Sequence, residues 1–276
     1  MRHFHRVLIW LSCPLLVAAQ PTTTRAEAKR QINRSAVVYA QGFGFSFEGS
    51  AEYFLSNHHA KQEPKLTAKE NGDQLPFGIG PKHPKFIVSL KAPKFIKNQK
   101  EWRERETWVQ FVPLQDPTET NFATAYPELE NTAKGLRSML NSGRVTSVAC
   151  EHLLVWEFLD AMQMIHAKAR ILKTPWCNGI QYITQEVQEA CEIDNNRMLY
   201  RFIGLSLDGK FLVDIGIPIA HPSLPIPAPG IESAEQAKAL DYCTKAEIEI
   251  NRWDDKSFFP SLPSFEALVN SIRLKP

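Results

Sequence analysis

The most regular pattern of apolar and polar residues lies between residues 160 and 219. Residues 166–172 and 179–187 alternate with the period of two that is typical of β-strands. Two further strand-like runs flank Asp208-Gly209, a dipeptide that favours a two-residue type I′ turn because that turn needs positive φ at both positions. The pattern therefore predicts a four-stranded antiparallel meander over about 166–219.

A two-residue turn at this point also predicts which residues of the hairpin lie opposite each other. One face would carry a continuous apolar set, pairing Gly204 with Val213, Phe202 with Ile215 and Tyr200 with Ile217. The other face is mixed, because Arg201 and Asp214 lie on it, close enough diagonally to form an ion pair. We expect a loop or a helix to cover this mixed face.

Three segments show the 3.6-residue period of amphipathic helices, at 127–141, 233–253 and 264–273. The first begins at Pro127, which suits the first helical position, and carries an apolar stripe of Leu129, Ala133, Leu136 and Leu140. Shorter β-type runs precede it at 36–47, 85–91 and 107–114. The expected fold class is therefore α+β, with an antiparallel meander sheet (about 166–219 plus N-terminal strands) packed with these three helices.

The N-terminus has the composition of a secretory signal peptide. A basic start is followed by an apolar run and by small residues before a cleavage site after Ala19, which predicts a signal at 1–19. The apolar run is shorter than the roughly 20 residues that span a bilayer. We expect an exported protein, periplasmic or extracellular, with a flexible leader at 20–35 and no transmembrane segment after signal removal. An uncleaved anchor and a lipid attached at Cys13 are the alternatives.

The charge balance changes when the signal peptide is removed. The chain of 276 residues has 32 lysines and arginines against 30 acidic residues; Arg2 and Arg6 belong to the signal, so the mature chain has 30 basic residues against 30 acidic ones. This balance argues against the basic surface of a nucleic-acid-binding protein, and no nucleic-acid partner is expected. Residues 36–276 are expected to form a single α+β domain, with a long loop region at about 57–106.

Four cysteines follow the signal peptide, namely Cys150, Cys177, Cys191 and Cys243, and an even number in an exported chain predicts two disulfides. Cys177 and Cys191 flank one predicted strand and would be about 45 Å apart, so they should not bond to each other. Two pairings stay open: Cys150–Cys177 with Cys191–Cys243, or Cys150–Cys191 with Cys177–Cys243. The alternative is four buried free thiols.

Candidate metal ligands are concentrated in one region. His58, His59 and His83 lie in the segment expected to be an exposed loop, and imidazole is the commonest transition-metal ligand. A solvated loop without metal is the alternative. The sequence has no G-x-S-x-G, P-loop or H-E-x-x-H motif, so no catalytic residue and no cofactor is predicted.

Several segments carry a resemblance to known proteins: Asp160-Ala-Met-Gln-Met-Ile-His-Ala-Lys-Ala-Arg170, Asn178-Gly-Ile-Gln-Tyr-Ile-Thr-Gln185, Leu207-Asp-Gly-Lys210 and Ile217-Pro-Ile-Ala-His-Pro-Ser-Leu-Pro225. The sequence resembles a family of uncharacterised exported bacterial proteins and lipoproteins that has no assigned activity. The order of elements is similar to that of the extrinsic photosystem subunits (the PsbP-like fold). The resemblance implies an antiparallel sheet flanked by helices, and it transfers no catalytic residue.

Two functions are compatible with these patterns. The first is a non-catalytic binding or accessory module of the cell envelope, whose partner is an unknown envelope protein or a small ligand. It predicts an exposed apolar or mixed groove around Trp102, Trp108 or Trp176. The alternative is an extracytoplasmic enzyme, such as a metal-dependent hydrolase with a non-standard site. That alternative requires histidine to converge with acidic residues or cysteine in one pocket.

Overall fold

The computed structural model describes most of residues 36–274. The predicted signal peptide at 1–19, the predicted leader at 20–35 and the alternative lipid site at Cys13 lie outside the described residues. Within 36–274 the description leaves out 41–42, 48–53, 64–80, 82, 91, 106, 116–126, 146–149, 151–152, 154–161, 189–190 and 226–235. The described residues belong to one compact unit, Arg34–Pro276.

The described part of the chain contains strands and helices in alternating groups. The strands are β1 (Ala36–Ala40), β2 (Phe43–Phe47), β3 (Phe54–Glu63), β4 (His83–Leu90), β5 (Trp108–Pro113), β6 (Met162–Gln163), β7 (Ala167–Lys173), β8 (Cys177–Val187), β9 (Met198–Ser206), β10 (Phe211–Pro218) and β11 (Arg273–Leu274). The helices are α1 (Gln99–Glu104), α2 (Pro127–Ser142), α3 (Gln236–Arg252) and α4 (Leu262–Ser271).

A large antiparallel sheet organises these elements in the order β3-β4-β5-β10-β9-β8. Beyond β8, both β7 and the short β6 pair with β8, while β1, β2 and β11 form a separate small antiparallel sheet. The predicted α+β class and the predicted meander of β7, β8, β9 and β10 are confirmed. Each of these strands follows its neighbour in sequence, and connections of three, ten and four residues join them.

The predicted hairpin register is also confirmed. Val213 lies opposite Gly204, Ile215 opposite Phe202 and Ile217 opposite Tyr200. Gly209 has a φ of 71°, a left-handed conformation that glycine adopts without a steric penalty, whereas Asp208 does not have a positive φ. The predicted two-residue type I′ turn is therefore wrong: residues 207–210 connect the strands, and the Gly209 N–H donates to the Ser206 carbonyl oxygen at 2.9 Å. The side chain of Ser206 supports the turn, because its hydroxyl donates to Asp208 Oδ1 at 2.6 Å and accepts from the backbone N–H of Phe211 at 2.9 Å.

Different elements cover the two faces of the large sheet. Helix α2 packs on β8 and β9 and buries its apolar stripe against the mixed face of the hairpin, which confirms that a helix covers that face. The opposite face packs against α3, α4 and β2. There Phe265 of α4 stacks on Tyr200 with ring centroids 4.3 Å apart, and Phe43 of β2 stacks on Phe111 at 4.1 Å. The meander is therefore the central layer of the core.

The region 57–106 differs from the long loop expected from the sequence. It includes most of β3, all of β4 and helix α1, whose first turn is capped by the Asn98 side chain accepting from the Glu101 N–H at 3.1 Å. Strands β3 and β4 pair with each other, and β4 pairs with β5. Partners that are remote in sequence satisfy these backbone groups, and the local hydrophobic period does not reveal such partners.

Two predicted boundaries also change. Residues 36–47 form the two strands of a hairpin, with Ala40 opposite Phe43, instead of one strand. Helix α4 begins at Leu262, because the Ser261 side chain accepts from the Ser264 N–H and acts as the N-cap. The last predicted helical residue, Arg273, lies instead in β11, which pairs with β2.

Candidate functional site

The most unusual chemistry in the described structure is a pair of charges inside the sheet. Arg201 on β9 is fully buried, and Asp214 on β10 is only 2% exposed. Arg201 Nη2 lies 2.7 Å from Asp214 Oδ1, so the diagonal pair expected from the hairpin register is confirmed. Burying two charges costs several kcal/mol in lost hydration unless further hydrogen bonds and neighbouring charges compensate.

Strand β5 supplies those further hydrogen bonds. Trp108 Nε1 donates to Asp214 Oδ2 at 2.9 Å, and Gln110 Nε2 donates to the same oxygen at 2.7 Å. The Arg201 guanidinium lies over the Trp108 ring, 4.8 Å from its centroid, which adds a cation–π contact. The carboxylate on β10 therefore accepts hydrogen bonds from two neighbouring strands, β5 and β9. We call Arg201, Asp214, Trp108 and Gln110 the charge cluster.

Trp108 can occupy this position because residue 216 is glycine. Gly216 lies directly opposite Trp108 in the β5–β10 pairing, and a Cβ atom built on Gly216 would overlap the indole ring. The absence of a side chain at this position lets the indole lie across the strand and reach Asp214. Gly216 therefore has a packing role that the alternating pattern of β10 does not reveal.

Polar contacts extend from the charge cluster in two directions. On one side, His83 Nε2 lies 3.3 Å from Gln110 Oε1. On the other, Arg201 Nη1 lies 3.6 Å from Glu186 Oε1, and the Gln163 carboxamide contacts both Glu186 and the Tyr182 hydroxyl. Burial raises the pKa of Tyr182 well above its ordinary range, so this hydroxyl stays protonated. Side chains of the protein itself contact the buried charges of this network. Such an arrangement is typical of a polar network with a structural role.

The predicted histidine loop is not a loop in the structure. His58 and His59 lie in strand β3, opposite Val88 and Ile87, and His83 begins β4 opposite Glu63. His83 is 1% exposed and its Nδ1 lies 2.8 Å from the carbonyl oxygen of Pro81, which corrects its expected exposure. Among the described residues, no group of three or more histidine, cysteine or acidic side chains is arranged to hold a metal ion.

The sequence predicts an exposed groove around Trp102, Trp108 or Trp176. This prediction is wrong for the first two tryptophans, which are buried. Trp102 and Trp108 are 2% and 3% exposed. Trp102, on α1, packs in a small core cluster with Ala92, Ile96 and Ala220, and Trp108 belongs to the charge cluster. Trp176 is half-buried and contacts Phe43 and Phe111 edge to face. These rings contribute to the core, as large aromatic side chains usually do.

A surface cleft lies instead where α2 ends beside the β9–β10 turn. It encloses about 290 Å³ and is lined by Arg137, Leu140, Asn141, Asn178, Leu205, Ser206, Leu207 and Gly209. Leu207, one of the lining residues, is 61% exposed. We call this the α2–turn cleft. Sequence reasoning missed it because its walls come from three segments that are apart in the chain.

Cys150, Cys177, Cys191 and Cys243, the four cysteines in the described part of the chain, are free thiols, contrary to the predicted disulfides. Cys150 and Cys177 belong to core clusters on opposite faces of the sheet, which separates them. Burial raises the pKa of Cys177 to about 11, so its thiol is protonated and unreactive. Cys191 and Cys243 are half-buried and pack against the same core cluster, the one that contains Cys177.

Comparisons of the chain with protein-family models, with curated proteins and with solved structures find no match. The resemblance to exported bacterial proteins and to the PsbP-like fold therefore stays a prediction. In the part of the chain that the structure describes, none of the helices combines the length and the apolar character needed to cross a bilayer.

Proposed function

We propose that this chain is an exported binding or accessory protein of the cell envelope, and that the α2–turn cleft is its binding site. The observation that carries the binding proposal is the composition of the cleft. Its lining combines three leucines, namely Leu140, Leu205 and Leu207, with Arg137 and two asparagines. A few polar groups among apolar walls are typical of small-molecule sites.

The cleft chemistry indicates the class of ligand. Its volume of about 290 Å³ is at the lower end of pockets that hold small organic molecules. Arg137 presents planar N–H donors that suit a carboxylate, and the leucines suit an aliphatic or aromatic portion. The expected ligand is therefore a small amphipathic carboxylate. The walls belong to a helix and to strand ends, so the site is largely formed before the ligand arrives.

Ligand binding is tested by thermal unfolding with short fatty acids, aromatic acids and N-acyl amino acids as probes. A ligand present at 100 times its Kd should raise the free energy of unfolding by about 2.7 kcal/mol. Arg137→Ser and Leu207→Ser should each abolish most of that gain. Lys134→Ser is the matched control, because Lys134 is an exposed cation of the same helix outside the cleft lining. Equal ligand effects in all three variants, or no effect from any probe, would contradict the proposal.

Export is tested separately on the full-length chain. Expressed in a bacterial host, the protein recovered from the envelope fraction should begin at Gln20, because the predicted cleavage follows Ala19. Deleting residues 1–19 should retain the protein inside the cell. N-terminal sequencing and cell fractionation measure both outcomes. A full-length chain that remains inside the cell would overturn the export proposal without affecting the binding proposal.

A further inference from the structure

Helix α2 presents exposed cations beside the α2–turn cleft. Arg137 lines the cleft and is exposed to solvent. Lys134 lies three residues earlier, on the same side of the helix, and 66% of its side chain is exposed. Lys134 Nζ is 3.6 Å from Glu130 Oε1, which makes an i,i+4 ion pair. The sequence has no acidic residue between Glu130 and Glu151, so the C-terminal half of α2 carries only positive side-chain charge.

Two further cations come from the sheet side of the cleft. Lys210 follows the lining residue Gly209, and 65% of its side chain is exposed. Lys173 is exposed at the end of β7, directly opposite Asn178, which also lines the cleft. Residues directly opposite each other on neighbouring strands have side chains on the same face, so Lys173 projects to the side of the sheet on which the cleft lies. Cations from three separate segments therefore lie around one cleft.

An exposed leucine lies among these cations. Leu207 belongs to the cleft lining and is 61% exposed. Glu130 and Asp208 form ion pairs with two of the four cations, and the other two charges add to the surface potential. The chain without its predicted signal has equal numbers of basic and acidic residues, so this part of the surface departs from the average. We define the basic face as Lys134, Arg137, Lys173, Lys210 and Leu207.

We propose that the basic face docks on the surface of an anionic phospholipid bilayer. Lysine and arginine attract anionic headgroups, and an exposed apolar side chain gains free energy by entering the region between headgroups and acyl chains. A bilayer therefore accounts for both the cations and Leu207. With few charges and one leucine, the association is weak and reversible. Docking would bring the cleft next to a source of amphipathic carboxylates, and in this respect the inference rests on the proposed function.

The test is sedimentation of the protein, purified from the envelope fraction, with lipid vesicles. One set of vesicles contains equal amounts of phosphatidylglycerol and phosphatidylcholine, and the other contains phosphatidylcholine alone. We expect binding to the anionic set only, and its loss in about 1 M NaCl, where the Debye length is about 3 Å. Lys134→Ser and Lys173→Ser should each weaken binding about fivefold. Leu207→Ser should weaken it about tenfold, because an inserted leucine is lost. Thermal unfolding checks that each variant is folded.

Lys245→Ser is the matched control. Lys245 is also an exposed lysine in an i,i+4 ion pair, but it lies on α3, which packs on the opposite face of the sheet. This variant should bind the anionic vesicles as tightly as the unmodified protein. The docking proposal is wrong if Lys134→Ser and Lys245→Ser bind equally well, or if both sets of vesicles bind equally well.

Two further comparisons separate this proposal from its alternatives. Lys134→Ser should weaken vesicle binding and retain the stabilisation by small carboxylates, because Lys134 lies outside the cleft lining. Vesicle binding without any effect of the carboxylate probes would contradict the proposed ligand and leave the docking surface in place. Polyglutamate serves as a soluble acidic probe. If it binds as tightly as the anionic vesicles do, and Leu207→Ser weakens neither interaction, the partner is an acidic protein and the lipid proposal is wrong.

Discussion

Replacing Asp214 with leucine is expected to lower the free energy of unfolding by about 3–5 kcal/mol. The substitution removes the acceptor for Arg201, Trp108 and Gln110 at once. Arg201 is fully buried, so water cannot restore the lost interactions without opening the sheet. Urea unfolding followed by circular dichroism measures the change.

A surface ion pair provides the comparison. Lys245 and Asp241 on α3 lie 2.6 Å apart with side chains 73% and 64% exposed, so their separation is similar to that of the buried pair while their hydration is not. Asp241→Ala should change the free energy of unfolding by less than about 0.5 kcal/mol. Equal costs for Asp214→Leu and Asp241→Ala would show that burial of the charge cluster does not determine its energy.

A double variant separates two contributions to the free energy of unfolding: that of the ion pair, and the cost of leaving one buried charge without its partner. Arg201→Met combined with Asp214→Leu removes both charges, and replacing a whole buried pair with apolar residues is often neutral. We therefore expect the double variant to be more stable than Asp214→Leu alone. If the double variant is instead the less stable of the two, the remaining arginine must be solvated in Asp214→Leu, which would contradict its burial.

Acidification is expected to destabilise the protein between pH 6.5 and pH 4. His166 and His221 are 3% and 4% exposed, and desolvation lowers the pKa of each from 6.5 to about 4. In this interval the unfolded chain binds more protons than the folded chain, so the free energy of unfolding falls as the pH falls. One pKa unit corresponds to about 1.4 kcal/mol, so each histidine contributes up to about 3 kcal/mol.

The surroundings of His221 explain why its neutral form is preferred. Its Nδ1 accepts from the backbone N–H of Ser223 at 3.1 Å, and its Nε2 lies 2.8 Å from Ser257 Oγ. Ser257 Oγ donates to the Asp254 carbonyl oxygen at 2.6 Å, so it accepts from Nε2–H. A proton on Nδ1 would face the N–H of Ser223. The ring also stacks on Trp253 at 3.9 Å, which keeps water away from one face, and the Phe258 ring lies 5.0 Å from it.

Urea unfolding at several pH values measures this effect, and His221→Gln is the test variant. Glutamine retains a donor for Ser257 but does not titrate, so the variant should lose about half of the pH dependence between 6.5 and 4. The pKa of Asp255 is below its ordinary value because hydrogen bonds from Arg170 and Lys168 outweigh its burial, so its effect appears only at lower pH. An unchanged pH dependence in His221→Gln would contradict the assignment.

The sequence was sufficient for part of the charge cluster and insufficient for the rest. Arg201 and Asp214 were predictable as neighbours because a short turn joins their strands and the apolar pattern favours one register. Trp108 and Gln110 were not, because β5 lies about a hundred residues earlier and its place beside β10 has no local signal. The one indication was polar Gln110 within an otherwise apolar run.

Elsewhere, too, predictions that depend on nearby residues are correct, and those that depend on pairing between distant segments are not. The stripe of α2 and the register of the β9–β10 hairpin depend on spacing along a few residues, and both were confirmed. The exposure of His83 depends on a strand pairing between distant segments, and it was predicted wrongly. The disulfides were inferred from the number of cysteines, which carries no information about which face of the sheet each thiol occupies.

The sequence alone determined the α+β class, the meander and the register of the β9–β10 hairpin, because side-chain period and turn geometry act between neighbouring residues. Only the tertiary structure decided that β5 completes the charge cluster, that α2 and the turn line a cleft, and that the Met164 and Cys191 sulfurs lie 4.0 Å apart. These features join residues from separate segments. Their positions follow from the packing of the whole core, in which buried charges and apolar faces must all be satisfied together.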